Sequence, residues 1–524
     1  MGTSGSFRAA CAAATAATAL WAPDLLAAQP VATAETRAAP ISQEQFLQLM
    51  GRLDALERRN SELEAEVARL KADAPAPARP SATAASADLA NGRPTLTSAD
   101  GRFTASLRGV VQLDAALYDQ DRPGPLAADF RRGSLGSAEE ADRARDLADG
   151  TNFRRMRLGV EGKAWGDWGY NLLVDFGGSG SEEPGKIINA YVEYTGFDPV
   201  TLRVGAFSPV TSFDDATSSN PLPFLERPSP ADILRSLTGS DGRTAVAAFA
   251  SGRRWSVYGA VSGNLAGQAS FDEQVAVIGR ATVLPLRSRD GLLHLGANAN
   301  LILRPPAAGP DVDPPGASTP LRLRDRPEAR VDGTRLIDTG PIDASGLEAY
   351  GLELGWQWKS LSMRAEHYWF EVQRRASPLP DPSFTGWYVL GAWTITGEPR
   401  RYNTQTGGFE TPRVERPFSL ASGHPGAWEL AVRWSDTDLD YLAGAPGSAP
   451  AAGAVRGGEQ KILSFSLNWY PNNNVRFLAG YQRVDVDRLS PGGTAFGPGA
   501  STPPAGAQIG QDLNIWSLRT QYAF

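Results

Sequence analysis

The sequence contains no long apolar run. No stretch of about 18 consecutive apolar residues, the length that a membrane-spanning helix needs, occurs anywhere in its 524 residues. The mean hydropathy is −0.28, and together with the missing run it excludes a helical membrane protein. It does not exclude a transmembrane β-barrel. Such a barrel turns an apolar side chain outward only at every second position, so its average hydropathy resembles that of a soluble protein.

Cysteine and histidine are scarce. The only cysteine, Cys11, lies before any plausible mature N-terminus, so the exported chain is expected to have no thiol and no disulfide. Too little apolar sequence precedes Cys11 for a lipoprotein signal. His294, His367 and His424 are the only histidines; none lies near a Ser/Asp arrangement, and no G-x-S-x-G motif is present. We therefore expect no catalytic residue, no metal site and no cofactor.

Positive charge is also limited, and it is carried almost entirely by arginine. The net charge is −7 and no block of basic residues occurs, so we expect no nucleic-acid partner. Five lysines stand against 46 arginines. A GC-rich coding bias explains this ratio. So does a functional need, because a guanidinium group binds an oxyanion through two hydrogen bonds and an ammonium group does not. Both explanations stay open at this point.

The first 100 residues predict an export signal, a coiled coil and a linker. Residues 1–28 resemble a secretory signal peptide, with cleavage after Ala28 or Ala34; an N-terminal soluble helix is the alternative. A Pro/Ala/Ser-rich composition over 72–100 predicts an extended linker.

Between them, residues 43–71 predict a short α-helical coiled coil. Leucine fills every d position of an unbroken heptad pattern, and the a positions are apolar except for one Asn: a positions are Phe46, Leu53, Asn60 and Val67, and d positions are Leu49, Leu56, Leu63 and Leu70. Helices with such a seam associate to bury it, and a single buried Asn fixes their register. About three and a half heptads are too few for a stable isolated coil, so we interpret the segment as an assembly element beside a larger interface. A helix packed on its own domain is the alternative.

From residue 101 to 524 the apolar residues repeat with period 2, which predicts β-strands. In one segment Leu158 and Val160 alternate with Arg155, Arg157 and Glu161. Segments of about 10–15 residues are long enough for a tilted strand to cross a bilayer. Ionised side chains on the inner face do not suit a dry sandwich core, where each would need a partner, but they suit a water-filled lumen. We therefore expect the inner residues to meet water.

The pattern predicts an all-β fold, a 16-stranded antiparallel transmembrane barrel, at 102–118, 151–165, 168–177, 186–196, 199–208, 242–250, 254–263, 274–286, 291–304, 347–358, 360–374, 386–396, 425–437, 459–470, 473–487 and 511–524. Links after even-numbered strands are short and the others are mostly long, as expected for periplasmic turns and outer loops. One link, 397–424, follows an even-numbered strand and is nevertheless long. An even count places both termini in the periplasm, and sixteen strands leave an aqueous channel.

The barrel segment resembles the phosphate-selective porin O/P family. The likeness spans nearly all of 101–524 and is specific in the order of its segments: NFRRMRLGVEGKAWGDWGY (152–170), INAYVEYTGFDPVTLRVGAFSPVTSFDDATSSN (188–220), ERPSPADILR (226–235), GWYVLGAWTITGEPRRYN (386–403), GAWELAVRWSDTDL (426–439) and LNWYPNNNVRFLAGYQRVDVD (467–487). The resemblance implies a trimeric 16-stranded porin in the outer membrane. It further implies that the third outer loop, the fifth outer loop and one long periplasmic turn fold into the lumen. The exceptional link 397–424 looks like that turn. In the family, arginines there form a ladder that guides phosphate or polyphosphate.

Candidate anion-binding residues lie in one strand, two loops and the long turn. An anion filter needs positive donors that replace water without trapping the ion. The candidates are Arg154, Arg155, Arg157, Lys163, Arg227, Arg235, Arg322, Arg324, Arg326, Arg400 and Arg401. The match to the family's own positions is plain only for Arg154 and Arg155. For each arginine, a solvated loop charge or a lipopolysaccharide contact is the alternative, and neighbouring acids would weaken an anion filter.

These observations leave several functions to compare. A passive channel for small anions, phosphate or polyphosphate, is the first, and a general or organic-anion porin of the same architecture is the second. An outer-membrane enzyme would need a catalytic arrangement that the sequence does not offer. A structural tether, in which the periplasmic coil reaches toward the cell wall, is compatible with either porin. The pair Asp214–Asp215 could be a cation site or a catalytic pair, but we interpret it as a cap or anchor of a folded-in loop.

Overall fold

The protein is described by a computed structural model that covers most of the barrel and part of the N-terminal region. The described residues are 50–66 without 53, 60 and 64, and 85–89, 92–120, 147–178, 185–267, 272–309, 317–492 and 505–524. The chain divides into two units, 1–79 and 80–524. The predicted signal peptide lies outside the described residues, as does the start of the predicted linker. No helix among the described residues is long and apolar enough to cross a membrane.

In the first unit, every described residue between 50 and 66 is helical. This agrees with the helix that the heptad pattern predicts over 43–71. The association of such helices into a coil stays a prediction.

The second unit is a closed antiparallel barrel of sixteen long strands. They are β3 (Thr104–Gln120), β4 (Gly150–Ala164), β5 (Trp168–Asp175), β6 (Lys186–Phe197), β7 (Val200–Phe207), β8 (Arg243–Ser251), β9 (Trp255–Leu265), β10 (Val275–Arg287), β11 (Gly291–Arg304), β14 (Ala344–Trp358), β15 (Leu361–Arg374), β16 (Ser383–Thr394), β19 (Ala427–Tyr441), β20 (Val455–Tyr470), β21 (Val475–Asp487) and β22 (Leu513–Ala523). Each pairs with the next, and β22 pairs with β3 to close the barrel. The predicted strand number and fold are confirmed.

The alternation of residues along each strand separates an apolar exterior from a polar interior. On β19, Leu430 and Val432 are 42% and 43% exposed on the outside, whereas Arg433, the next residue along the strand, is buried on the inside. On β22, Trp516 and Leu518 face outward while the Arg519 side chain is 0% exposed inside the barrel. The inward placement of the charged positions is therefore as the period-2 pattern predicts.

The two ends of the barrel differ in the length of their links. At one end, here called the turn end, consecutive strands are joined by a few residues, except for the long turn 395–426 between β16 and β19. At the other end, the loop end, the third loop (208–242) and the fifth loop (305–343) are among the longest links. This asymmetry is the one that the sequence predicts.

Two short strands extend the barrel wall where the sequence predicts a linker. Strand β1 (Ser86–Asp88) pairs with β2 (Thr95–Thr97), and β2 pairs with β3 at Thr104–Ser106. Strand β22 covers β3 only as far as Val110, so the edge of β3 beyond that point is free to accept β2. The segment 72–100 is thus not linker throughout, because an unpaired strand edge offers backbone hydrogen bonds to any nearby chain.

Three links fold into the lumen, as the family resemblance implies. The third loop contains helices α1 (Phe213–Ala216) and α2 (Ser229–Thr238). The fifth loop contains the strand pair β12 (Arg324–Asp325) and β13 (Ile337–Asp338), and the long turn contains the hairpin β17 (Arg400–Asn403) and β18 (Gly408–Pro412).

These inserted segments change what the inner wall meets. Apolar side chains of the third and fifth loops, such as Ile233, Leu234 and Leu323, are 0% exposed and form one cluster with inward residues such as Tyr388 and Ile462. The expectation that inward side chains simply meet water is therefore wrong for much of the wall. The loops supply their own apolar core, which removes both surfaces from water.

Candidate functional site

A cavity of about 670 Å³ remains in the lumen beside the inserted loops. Its wall comes from strands β3, β4, β6 and β7 and from the third and fifth loops. Among the described residues, thirteen basic side chains line it, against five acidic ones. The basic residues are Arg108, Arg154, Arg155, Arg157, Lys186, Arg203, Arg227, Arg235, Arg322, Arg324, Arg326, Arg330 and Arg335. Eight of the eleven candidates from the sequence lie here, so the cavity is the candidate anion site.

A β-bulge places two consecutive arginines on the same face of strand β4. The register with β3 shifts between the pairs Gln112–Arg155 and Leu113–Phe153, which leaves Arg154 as the extra residue. Both Arg154 and Arg155 are consequently buried inside the barrel. A bulge redirects a side chain that strict alternation would send outward. Without it, Arg154 would point into the lipid.

Glu226 of the third loop is the acidic centre of this end of the cavity. Its carboxylate accepts a hydrogen bond of 2.7 Å from Nε of Arg154, and it lies within 3.6 Å of guanidinium nitrogens of Arg155, Arg330 and Arg519. Burial alone would raise the pKa of Glu226, but these arginines, Arg154 first, hold that pKa well below its usual range. The carboxylate is therefore ionised at neutral pH and ties the loop to strands β4 and β22.

A second chain of ion pairs runs along the other side of the cavity. Arg157 binds Asp175 on the neighbouring strand and Asp241 of the third loop, each at 2.7 Å. Arg235 on α2 binds Asp241 at 2.5 Å and Asp215 at 2.7 Å. The guanidinium groups of Arg157 and Arg235 are thus held in fixed positions by carboxylates, which leaves them less free to bind a passing ion.

The pair Asp214–Asp215 anchors the third loop. The Asp214 carboxylate accepts a hydrogen bond from Arg227, and the backbone N–H of Asp215 donates to the side chain of Ser212, the N-cap of α1. The backbone N–H groups of Phe213 and Asp214 donate to Glu366 on the wall, each at 2.8 Å. These contacts support the anchor interpretation over a cation site.

The fifth loop presents several arginines to the cavity, and they differ in their partners. Arg322 is paired with Asp338, whose carboxylate accepts from Nε at 2.7 Å. Burial and the neighbours Arg335 and Arg322 lower the pKa of Arg324, and burial with Arg330 and Arg335 lowers the pKa of Arg326. Arginine keeps its proton in proteins. The lowered pKa values therefore mark buried positive groups with positive neighbours, which an added anion would stabilise.

Two further features favour a negative guest in the cavity. The Nε of Arg155 is buried and has no hydrogen-bond partner among the described residues. Burial and the nearby Asp232 raise the pKa of Asp325 well above its usual range, which favours its neutral form. One of the five lining carboxyl groups thus opposes an anion less than its formal charge suggests.

Other inward arginines, which the sequence analysis did not single out, hold the third loop by its backbone. Arg433 donates to the carbonyl of Glu226 at 2.9 Å, Arg519 to that of Leu225 at 2.7 Å, and Arg476 to that of Leu222 at 2.6 Å. These guanidinium groups are almost wholly buried. They act as a clamp on segment 220–226 and do not line the cavity. The period-2 pattern indicates that they face inward, but no sequence signal reveals that a loop covers them.

Three predicted residues lie outside the cavity. Arg400 is buried, bound to Glu429 at 2.7 Å and to the carbonyl of Pro221 at 3.0 Å, so it belongs with the clamp. Arg401 is 56% exposed beside Glu410. Lys163 lines a separate cavity of about 330 Å³ at the turn end. The period-2 pattern correctly gives Lys163 the face of Arg155 and Arg157, but it does not indicate how far along the barrel each cavity reaches.

Comparison with known proteins gives consistent matches. Residues 127–524 match the family described as phosphate-selective porin O and P. Porin O of Pseudomonas aeruginosa is 26% identical over 376 residues, 68% of this chain and 83% of that protein. An uncharacterised protein of Caulobacter vibrioides is 28% identical over 430 residues, 80% of this chain and 75% of that protein.

Solved structures with related folds are more distant. The trimer form of OmpT from Vibrio cholerae matches with a TM-score of 0.45 and 11% identity, covering 80% of this chain and 99% of that one. The anion-selective porin from Comamonas acidovorans matches with a TM-score of 0.44 and 9% identity, covering 80% of this chain and 100% of that one.

Proposed function

This chain belongs to the phosphate-selective porin O and P family, and we propose that it passes small anions, phosphate or polyphosphate, through its arginine-lined cavity. It is an outer-membrane porin, and the family and the barrel indicate a channel and not an enzyme. The observation that carries the proposal is the excess of basic side chains around the cavity, thirteen against five among the described residues. Outer loops of such barrels face the exterior and short turns face the periplasm, so an anion would enter past the fifth loop.

The ion pairs within the cavity support passage over tight binding. Arg154, Arg157 and Arg235 each have a carboxylate partner within 2.7 Å, so a phosphate oxygen would compete for donors that are already partly satisfied. Arg324 of the fifth loop lines the cavity and has no ion-pair partner among the described residues. A site with both kinds of donor attracts an anion and still lets it leave, which conduction requires.

Planar-bilayer recording of the purified protein tests this proposal. In a potassium chloride gradient the reversal potential is expected to show anion preference, because the field in the cavity is positive. Added inorganic phosphate is expected to reduce the chloride current, since a multivalent oxyanion binds guanidinium groups more strongly than chloride does. Cation preference would refute anion selectivity and leave the porin assignment intact.

A general or organic-anion porin is the alternative within the same architecture. It would give an anion-selective current that phosphate does not reduce. This alternative is favoured by the five acids of the cavity, above all Asp215 and Asp241, which both bind Arg235. The phosphate titration therefore decides between the two.

We also propose that the channel is a homotrimer assembled through the side of the barrel with the shortest strands, here called the low side. Strands β5, β7 and β8 have only 8, 8 and 9 residues, whereas β14 and β20 have 15 and 16. Exposed outward residues on the low side are apolar, for example Leu172, Leu202 and Val246. A short apolar wall suits contact with another barrel, while the remaining exterior suits outer-membrane lipid.

The N-terminal coil is proposed to support this trimer from the periplasm, after removal of the signal peptide. Deleting 43–71 is expected to lower the temperature at which trimers dissociate in semi-native gel electrophoresis. It should leave the single-channel conductance unchanged, because the cavity is built from later residues. Unchanged trimer stability with weaker attachment of the outer membrane to the cell wall would instead indicate a tether.

A further inference from the structure

Two ion pairs lie between the main cavity and the smaller cavity at the turn end. Arg108 and Arg203 line the main cavity, and their partners Glu161 and Glu193 line the smaller one. The Arg108–Glu161 and Arg203–Glu193 pairs each have a nitrogen–oxygen distance of 2.7 Å. We call them the floor pairs. An ion that crossed the barrel by way of both cavities would pass both pairs.

The strand register sets the two pairs side by side. Glu161 on β4 lies opposite Asn171 on β5, and Asn171 lies opposite Tyr191 on β6. Glu193, two residues further along β6, lies opposite Arg203 on β7. With Arg108 on β3, the floor pairs therefore form one polar band across five neighbouring strands, β3 to β7.

Both carboxylates are held firmly but remain in contact with solvent. Glu161 accepts hydrogen bonds from Arg93, Arg108 and Asn171, the last at 2.8 Å. Glu193 accepts from both Nε and Nη2 of Arg203, at 3.0 and 2.7 Å. The side chains of Glu161 and Glu193 are 27% and 23% exposed. Water and small ions can therefore reach the paired oxygens.

The arginines of the floor pairs are likewise fixed in place. The Arg203 guanidinium lies over the Tyr191 ring, 4.3 Å from its centroid. Gly169 leaves room for its partner, because a Cβ at that position would lie 2.7 Å from Cγ of Glu193. Without the two carboxylates, Arg93, Arg108 and Arg203 would present free donors on the path, and an anion bound there would leave slowly.

We propose that Glu161 and Glu193 determine how fast anions are released to the periplasm, by competing with the permeating anion for Arg108 and Arg203. This rests on the proposed function, since it concerns the exit of the same path. The two carboxylates occupy arginine donors that would otherwise bind the permeating anion, so the anion is not held at the exit. Their charge also opposes anions at the exit, so they lower the selectivity that the main cavity provides.

The test uses the full-length channel in planar bilayers, with Glu161→Gln and Glu193→Gln made singly and together. Inorganic phosphate is added from one side at a time while chloride current is recorded. The double variant is expected to need about tenfold less phosphate for half block from one side only, as the removal of unit charges a few ångströms from the path implies. The anion preference in a chloride gradient is expected to rise in the same variants.

Glu371→Gln is the matched control, because it removes the same charge from an exposed outward position on β15. It should leave block and selectivity unchanged. Since Glu161 and Glu193 lie on different strands, a folding defect in one single variant leaves the other to decide. If both single variants fold and neither changes the one-sided block, the proposal is wrong. Cation preference of the wild type would refute the proposed function separately, because the floor pairs are judged by the difference between variant and wild type.

Discussion

Replacing Glu226 with Gln is expected to release the third loop from the barrel wall. The Glu226 carboxylate is the shared partner of Arg154, Arg155, Arg330 and Arg519. Removing one member of a buried charged group leaves the others uncompensated, at a cost of about 3–5 kcal/mol. Because Arg330 and Arg519 keep the carboxylates of Asp232 and Asp114, most of the cost falls on Arg154 and Arg155.

Limited trypsin digestion of the detergent-purified protein measures this release. Cleavage after Arg235 requires the loop to leave the lumen, and a cost of about 3 kcal/mol raises the open population about 100-fold. Peptide mass spectrometry would report the rate at each bond. Asp343→Asn is the control, because the Asp343–Arg375 pair is solvent-exposed and such pairs contribute little. Equal digestion of the Glu226 variant and wild type would contradict the assigned role.

The pH dependence of channel currents tests whether the charge of Glu226 holds the third loop. The folded pKa of Glu226 lies well below its usual range, so its contribution to stability is complete above the unfolded pKa of about 4.3 and is lost only as the pH falls further. Glu226 should therefore hold the loop equally well at pH 5 and pH 8. The increase in current fluctuations from wild type to variant should be the same at both values.

The barrel could be predicted from the sequence because its signal is repeated sixteen times. Each strand places apolar residues at every second position, and the short links at one end fix the strand count. Arg519 and Arg433 were thus assignable to the interior from the pattern alone. The bulge at Arg154 was not, because a one-residue register shift leaves no mark in the period-2 pattern of β4.

The candidate site was harder to predict because it depends on contacts between distant segments. Arg227 and Arg400 both look like free loop charges in the sequence, yet the structure pairs them with Asp214 and Glu429. Only the folded loops decide which guanidinium groups are neutralised and which remain available. For the same reason the sequence pointed to the fifth-loop arginines as a group but could not separate Arg322 from Arg324.

Arg324 and Arg322 are expected to contribute differently to phosphate binding, because they differ in their partners. Arg324 is exposed to the cavity and has no ion-pair partner among the described residues, while Arg322, two positions earlier, is already bound to Asp338. Replacing Arg324 with Gln is expected to raise the phosphate concentration for half block of chloride current by about 10- to 100-fold. That range corresponds to the loss of one charge-assisted hydrogen-bonding group, about 1.5–3 kcal/mol.

Arg322→Gln is the matched control, since it removes the same charge from the same loop. Its effect should be smaller, because the Asp338 carboxylate already satisfies Nε and Nη2 of Arg322. Arg324→Lys should restore only part of the phosphate affinity, because an ammonium group keeps the charge but loses the planar fork. Equal effects of the Arg322 and Arg324 variants would mean that phosphate senses only the total charge of the cavity, and then the unpaired guanidinium would have no special part in binding.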